Sequence, residues 1–214
     1  MNNIYYMWEF KPNENTLINQ DVINTNLKYI ENYKIITPTI FEPLLQTNIF
    51  PNLLELYNLI PNWIIKADLG RLLLVYFFGG IYCDTDCFIQ TQFNNMTDNI
   101  NLYLFTEHVV KYRFLLGKRE CKDNDNLVRV ANFCFGSKIK NHPFLKEVID
   151  ECLNRLKQIL VTEGQTKLNN RDILWVCGPD VITTIYHSSK HKYNDILLHN
   201  STFLYHSANG GWRK

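Results

Sequence analysis

Residues 66–86 read Lys66-Ala-Asp-Leu-Gly-Arg-Leu-Leu-Leu-Val-Tyr-Phe-Phe-Gly-Gly-Ile-Tyr-Cys-Asp-Thr-Asp86, and this stretch decides the fold. Asn62 offers an N-cap for a helix running from Trp63 to about Phe78. Gly79-Gly80 ends that helix, because glycine accepts the backbone conformations a helix stop requires. Ile81-Tyr82-Cys83 is then a short β run that leads directly into Asp84. Asp68 and Arg71 lie three residues apart, so they share one helix face. Their apolar neighbours place that face at the edge of a core. The longest apolar run, Leu72 to Phe78, falls well short of the roughly 20 residues a membrane span needs. Charges flank it on both sides, so it reads as a buried helix followed by a buried strand, and no transmembrane segment is predicted.

Working outward, Ile4 to Trp8 is a β-rich first strand. Glu14 to Tyr33 is expected to be helical on the stripe Leu17, Ile18, Val22, Leu27 and Ile30. Lys34 to Thr37 reads as a strand ended by Pro38, and Pro51 to Leu59 as a short helix before the break at Pro61. Leu102 to Thr106 and Ala131 to Ser137 read as strands, with a polar loop over 117–129 between them. His142 to Leu160 is an amphipathic helix with Pro143 in its first turn. A second polar loop spans 163–171. Gly178-Pro179 starts a helix to about His187, and Ile196 to His206 contains a last strand. Strands and helices alternate with short connections, which predicts an α/β fold with a mixed, mainly parallel central sheet. No repeat or composition break divides the 214 residues, so residues 1–214 are read as one domain. Because the sequence stops at Lys214, it is either minimal or one domain of a longer polypeptide.

Composition narrows the function. There are 22 basic and 21 acidic residues and no long basic run, so a nucleic-acid backbone is not the expected partner. The six cysteines form no Cys-x2-Cys pair, so no zinc pattern is present. No basic segment followed by a long apolar stretch opens the chain. Free thiols and a cytoplasmic location are therefore expected, including a host or viral-factory cytoplasm if the Asn-rich bias reflects an AT-rich large virus.

The strand at Ile81 delivers two carboxylates at its C-terminal end, where ligands bind in open α/β sheets. Two aspartates separated by one residue suit a hard cation, Mn²⁺ or Mg²⁺. Such a cation offsets the charge that builds on a diphosphate leaving group. Asp-x-Asp alone is more often a solvated turn, and an exposed Asp/Arg pair contributes under about 1 kcal/mol. The ordered combination of acid, base, apolar helix, Gly-Gly, aromatic and Asp-x-Asp is what carries the argument.

That combination, from Ala67 to Asp86, resembles the DXD sugar-binding region shared by the mannosyltransferases of glycosyltransferase family 32 and the glucosylating clostridial toxins. The pattern Asp-x-x-Arg, spacer, Gly-Gly-x-Tyr-x-Asp-x-Asp is present without gaps. The resemblance is specific over about 20 residues and looser over the rest. It implies a GT-A (Rossmann-like) fold, a nucleoside-diphosphate sugar donor and a divalent metal. It implies that Asp68 and Arg71 grip donor sugar hydroxyls and that Asp84 contacts ribose, sugar or metal. Asp86 would ligate the metal directly, and Tyr82 would lie beside the nucleotide. It further implies that Trp8 stacks on a uracil base, which favours UDP over GDP; the alternative for Trp8 is a core aromatic. Asn132 would contact the donor sugar, while His142 caps or packs the helix that follows.

The ending His206-Ser-Ala-Asn-Gly-Gly-Trp212 is similar to the family's C-terminal His-x-x-x-Gly-x-Trp segment. It makes His206 a third metal-ligand candidate, against the alternative of a solvent-exposed tail. Ser207 and Asn209 are weaker candidates, and Trp212 would close over the donor. Gly178-Pro179-Asp180 resembles a helix start in the same enzymes, and Glu107 is a candidate acceptor-side carboxylate. The expected activity is a metal-dependent, retaining hexosyl transfer from a UDP-sugar, for example UDP-glucose, to a glycan or other hydroxyl acceptor. The alternatives are a non-catalytic nucleotide-sugar-binding module and an Asp-x-Asp phosphatase. The phosphatase calls for Thr or Val where Phe88 stands and gives Asp68 and Arg71 no role. No Gly-x-Gly-x-x-Gly occurs, which argues against a dinucleotide-binding dehydrogenase.

Overall fold

The computed structural model describes residues 3–13, 17–90, 99–111 and 126–207. The strands are β1 (Asn3–Met7), β2 (Asn32–Ile36), β3 (Gly80–Cys83), β4 (Cys87–Ile89), β5 (Leu102–Lys111), β6 (Asn126–Val130), β7 (Cys134–Ser137), β8 (Ile196–His199) and β9 (Leu204–His206). The α-helices are α1 (Gln20–Asn26), α2 (Pro38–Phe41), α3 (Leu53–Leu59), α4 (Trp63–Phe78), α5 (Pro143–Leu156), α6 (Asn170–Val176) and α7 (Pro179–Ser189).

Among the described residues seven strands form the central sheet: β2-β1-β3-β7-β5 lie in that order, β6 pairs further along the edge of β5 that β7 occupies, and β8 pairs with the other edge of β5. β1 pairs in parallel with β2 and β3, and β8 pairs in parallel with β5, while β7 is antiparallel to both β3 and β5. Five strands therefore point one way, and β6 and β7 oppose them. This is the mixed, mainly parallel α/β sheet the alternation of elements predicts.

Alternation along the strands builds two apolar layers. Tyr5, Tyr82, Leu102, Leu104 and Phe135 face the larger one, which α2 to α7 cover. Ile4, Tyr6, Ile81, Cys83, Phe105 and Cys134 face the smaller one, which α1 and the β4–β9 ribbon cover. α4 lies in the large layer and is buried on nearly every side, including Asp68 and Arg71. It ends at Gly79 (φ 67°), and Gly80 follows at φ 80°. A side chain at Gly80 would meet the Asn3 carbonyl oxygen at 2.9 Å, so glycine is what lets β3 lie against β1. No helix among the described residues is long and apolar enough to cross a membrane.

Several boundaries differ from the sequence reading. Of the expected helix over 14–33, the described residues form only α1, and Leu17 is 94% exposed rather than part of an apolar stripe. Asn19 caps α1 from its side chain and fixes the start there. Part of the expected loop over 117–129 is strand β6, and part of the loop over 163–171 opens α6, where Asn169 and Asp172 form a reciprocal capping box. The single strand expected over 196–206 is two strands in different sheets, β8 and β9. The three-residue β4 has too short an apolar run to signal itself.

Candidate donor and metal site

The site begins with a return of the chain. From Phe78 back to Arg71, α4 retraces about 10 Å at 1.5 Å per residue. From Gly80 to Asp84 the strand advances about 13 Å at roughly 3.3 Å per residue. The two lengths nearly cancel, so Arg71 arrives beside Asp84. Its Nη1 lies 3.2 Å from Asp84 Oδ1, and its Nη2 lies 3.0 Å from Asp68 Oδ1. The guanidinium also sits 4.7 Å from the centre of the Tyr82 ring. The Tyr82 hydroxyl donates to Asp84 Oδ1.

Asn132 joins from the other side, through an interruption. β6 and β7 run the same way along one edge of β5, separated by Ala131–Phe133. At this break the Ala131 amide donates to Phe105 O and Phe133 O accepts from the Asp84 amide, so neighbouring backbone groups keep partners on both sides. Asn132, between them, is released from the ladder. Its carbonyl accepts from Arg71 Nη1 at 3.0 Å and its Nδ2 donates to Asp68 Oδ1 at 3.1 Å. Asp68, Arg71, Asp84 and Asn132 thus form one hydrogen-bonded unit, in which Arg71 Nε has no hydrogen-bond partner among the described residues.

Asp86 and His206 complete the site. β4 pairs with β9 so that Cys87 faces His206, and His206 Nε2 lies 3.0 Å from Asp86 Oδ1. The imidazole stacks on Phe133 with ring centres 4.0 Å apart and planes 20° apart. The Ser207 amide donates to Asp86 O at 3.0 Å. Donor atoms of Asp84, Asp86 and His206 all lie within 4.8 Å of one another. Two carboxylates and an imidazole, each about a quarter exposed, could hold a divalent cation.

The electrostatics follow from burial and charge. Burial pushes the Asp68 carboxyl up to about 7, against the pull of Arg71 and Asn132, and Asp84 adds to the rise. Asp84 is also raised, by burial first, although Arg71 and the Tyr82 hydroxyl draw it down. Burial disfavours a charged His206, but its hydrogen bond to Asp86 and the charges of Asp86 and Asp84 outweigh that and raise it. Asp84 and Asp68 draw Arg71 upward against its burial, so the guanidinium stays charged.

Trp8 comes directly after β1, half-buried, and its amide donates to Ile36 O. The β1–β3 register, Tyr5 to Tyr82, continues to place Trp8 level with the Asp84-Thr85-Asp86 turn. Tyr82 is buried, and its hydroxyl is occupied by Asp84. His142 caps α5, accepting from the Phe144 amide. Glu107 lies 3.6 Å from Arg129, which holds Asp180 at 2.8 Å. Trp212 and Asn209 lie outside the described residues. Phe133 escapes the sequence reading as a site residue; its adjacency to Asn132 was the only available signal.

Residues 15–103 match the family described as glycosyltransferase sugar-binding region containing DXD motif. The matched range holds Asp68, Arg71, Asp84 and Asp86, and it leaves out Asn132 and His206. Among solved structures the fold is similar to the PaToxG glycosyltransferase, with a TM-score of 0.56 at 17% identity over 88% of this chain and 69% of that one. No curated protein matches the sequence. The fold is that of a glycosyltransferase, consistent with the GT-A type, and the DXD match supports a role in glycosyl transfer.

Proposed function

We propose that this chain transfers a hexose from a nucleoside-diphosphate sugar to a hydroxyl acceptor, with a UDP-sugar as the favoured donor and a glycan among the acceptors. The observation that carries the proposal is the hydrogen-bonded unit of Asp68, Arg71, Asp84 and Asn132 beside the Asp86–His206 pair. It combines buried polar groups able to orient a sugar with an oxygen and nitrogen donor set able to hold a cation.

Asp86, His206 and Asp84 would hold Mn²⁺ or Mg²⁺, whose chemistry is to neutralise charge on the diphosphate as the glycosidic bond breaks. Asp68 and Asn132 accept from and donate to donor-sugar hydroxyls, and the unpartnered Arg71 Nε is a further donor to them. Trp8 stacks on the base; base–aromatic contacts contribute about 1–3 kcal/mol. No side chain stands out as a nucleophile, so positioning and fixed charge carry the catalysis, with retention of configuration.

The test is a panel of UDP- and GDP-sugars with Mn²⁺, read by nucleotide release and thermal stabilisation. A UDP-sugar should stabilise the protein and release UDP, and Asp86→Asn should remove the metal dependence. Binding without release under any acceptor would favour a non-catalytic binding module, and absence of binding with metal present would end the proposal.

A further inference from the structure

The Asp84-Thr85-Asp86 turn is bracketed by two cysteines, Cys83 and Cys87, and a third, Cys134, is the direct cross-strand partner of Cys83 on β7. All three are fully buried, and their sulfur atoms lie within 4.8 Å of one another. They belong to the smaller apolar layer, on the opposite face of the sheet from Tyr82. A single buried cysteine is a small hydrophobe and asks for no explanation. Three sulfurs converging from three strands are a ligand set. The side chain of Asn26 reaches the same place, with Nδ2 3.6 Å from Cys83 Sγ and 3.0 Å from Cys87 O. An amide N–H turned toward a sulfur is the kind of outer contact that supports a metal-bound thiolate.

We propose that Cys83, Cys87 and Cys134 form a second cation site, distinct from the carboxylate–imidazole site, that takes a thiophilic d¹⁰ ion, Cu⁺ or Zn²⁺. Metal–sulfur bonds of about 2.3 Å call for sulfurs roughly 3.8–4.0 Å apart. Sulfurs that lie within 4.8 Å of one another are at most about 1 Å farther apart than that. Among the described residues no fourth His, Cys, Asp or Glu joins the set, and three fully buried soft ligands suit Cu⁺ better than four-coordinate Zn²⁺. Soft and hard ions are thereby sorted within one short stretch of chain: Cys83 and Cys87 select a thiophilic ion, while Asp84 and Asp86 between them select a hard one. An ion on the three sulfurs ties β3, β4 and β7 together around the turn that presents the aspartates.

The test uses the full chain, purified reduced and without oxygen, titrated separately with Cu⁺ and with Zn²⁺. Metal analysis after desalting gives the stoichiometry, and the sulfur-to-metal charge-transfer band of added Cd²⁺ reports thiolate ligation. One tightly held equivalent of Cu⁺ or Zn²⁺ is expected, and the ion that survives desalting identifies the site. Cys134→Ser and Cys87→Ser should each lose that equivalent and the band, while Cys152→Ser and Asp86→Asn should keep both. The band surviving in Cys134→Ser, no stoichiometric binding by the folded wild-type chain, or a Cys83–Cys134 disulfide in the freshly isolated protein would each overturn the proposal. Loss of binding through misfolding is separated by circular dichroism of each variant. Because Asp86→Asn leaves the sulfurs intact, failure of the thiolate site is distinguishable from failure of the glycosyltransferase reading.

Discussion

Replacing Arg71 by methionine is the perturbation that most directly tests how the site is held. Arg71 is 5% exposed and meets Asp68 Oδ1 at 3.0 Å, Asp84 Oδ1 at 3.2 Å and Asn132 O at 3.0 Å, over the Tyr82 ring. Methionine fills much of the volume and removes the charge, so the buried Asp68 and the partly exposed Asp84 lose their counter-ion. Breaking a buried pair from one side typically costs about 3–5 kcal/mol, because the remaining charge stays desolvated. Against a typical total of about 5–15 kcal/mol this is a large fraction. Urea unfolding should therefore show the extrapolated stability lowered by that amount and the midpoint lowered by that amount divided by the slope, with the slope unchanged.

Arg71→Lys should recover only part of the loss, since one ammonium cannot reproduce the guanidinium's planar fork toward three acceptors. Adding Asp68→Asn to Arg71→Met should restore some stability, because it removes one unpaired carboxylate. The double-mutant cycle should give a coupling of about 1–3 kcal/mol. A loss below about 1 kcal/mol for Arg71→Met, or simple additivity with Asp68→Asn, would refute the claim that these groups act as one buried unit.

Three further outcomes follow from the geometry. In metal-free protein the folded pKa of His206 is raised, so its pairing with Asp86 stabilises fully below the ordinary value of 6.5 and fades as pH rises through the folded value. The stability difference between wild type and His206→Gln should fade over that range, from about 1 kcal/mol or less at the acid end. Gly80→Ala should destabilise by about 1–3 kcal/mol, since φ is 80° and the new methyl would press on the Asn3 carbonyl; thermal unfolding reads it directly. Asn26→Ala should cost about 2–3 kcal/mol in chemical unfolding, because the Ile89 amide and the Tyr6 hydroxyl lose a buried partner at 2.7 and 2.9 Å.

What could be read from the sequence was what lies close along the chain. The span from Asn62 to Asp86 specifies its own cap, helix, glycine stop and strand, and the return geometry then fixes Arg71 beside Asp84. α4 and β3 accordingly match their expected limits to within a residue. Contacts made by distant strands were legible only through resemblance. His206 is placed by the β4–β9 register and by stacking on Phe133, and nothing local in the last residues encodes either. The cysteines carried no spacing signal because Cys134 meets Cys83 across strands 51 positions apart. The β6–β7 break was hidden for a related reason. Its cause is the loss of register on β5, not a turn residue at Asn132.

Charge balance at the site leads to a last prediction, which rests on the proposed activity. Among the described residues of the site, Asp68, Asp84 and Asp86 stand against the single permanent cation Arg71, so with the carboxylates ionised and His206 neutral the site is anionic. A diphosphate brought to that site meets repulsion in a partly buried environment, where charges are poorly screened. A divalent cation on Asp84, Asp86 and His206 reverses the sign of that interaction. Cation and donor binding must then be coupled, and the coupling must be reciprocal: if Mn²⁺ raises UDP-sugar affinity by some factor, the UDP-sugar raises Mn²⁺ affinity by the same factor. Couplings of this kind typically run to about 1–3 kcal/mol, or roughly 5- to 150-fold. Calorimetric titration of each ligand with and without the other should close that thermodynamic square in wild type, and Asp86→Asn should flatten it. Donor affinity that is indifferent to the cation would mean the carboxylates do not face the diphosphate, and the assignment of Asp84 and Asp86 would have to be abandoned.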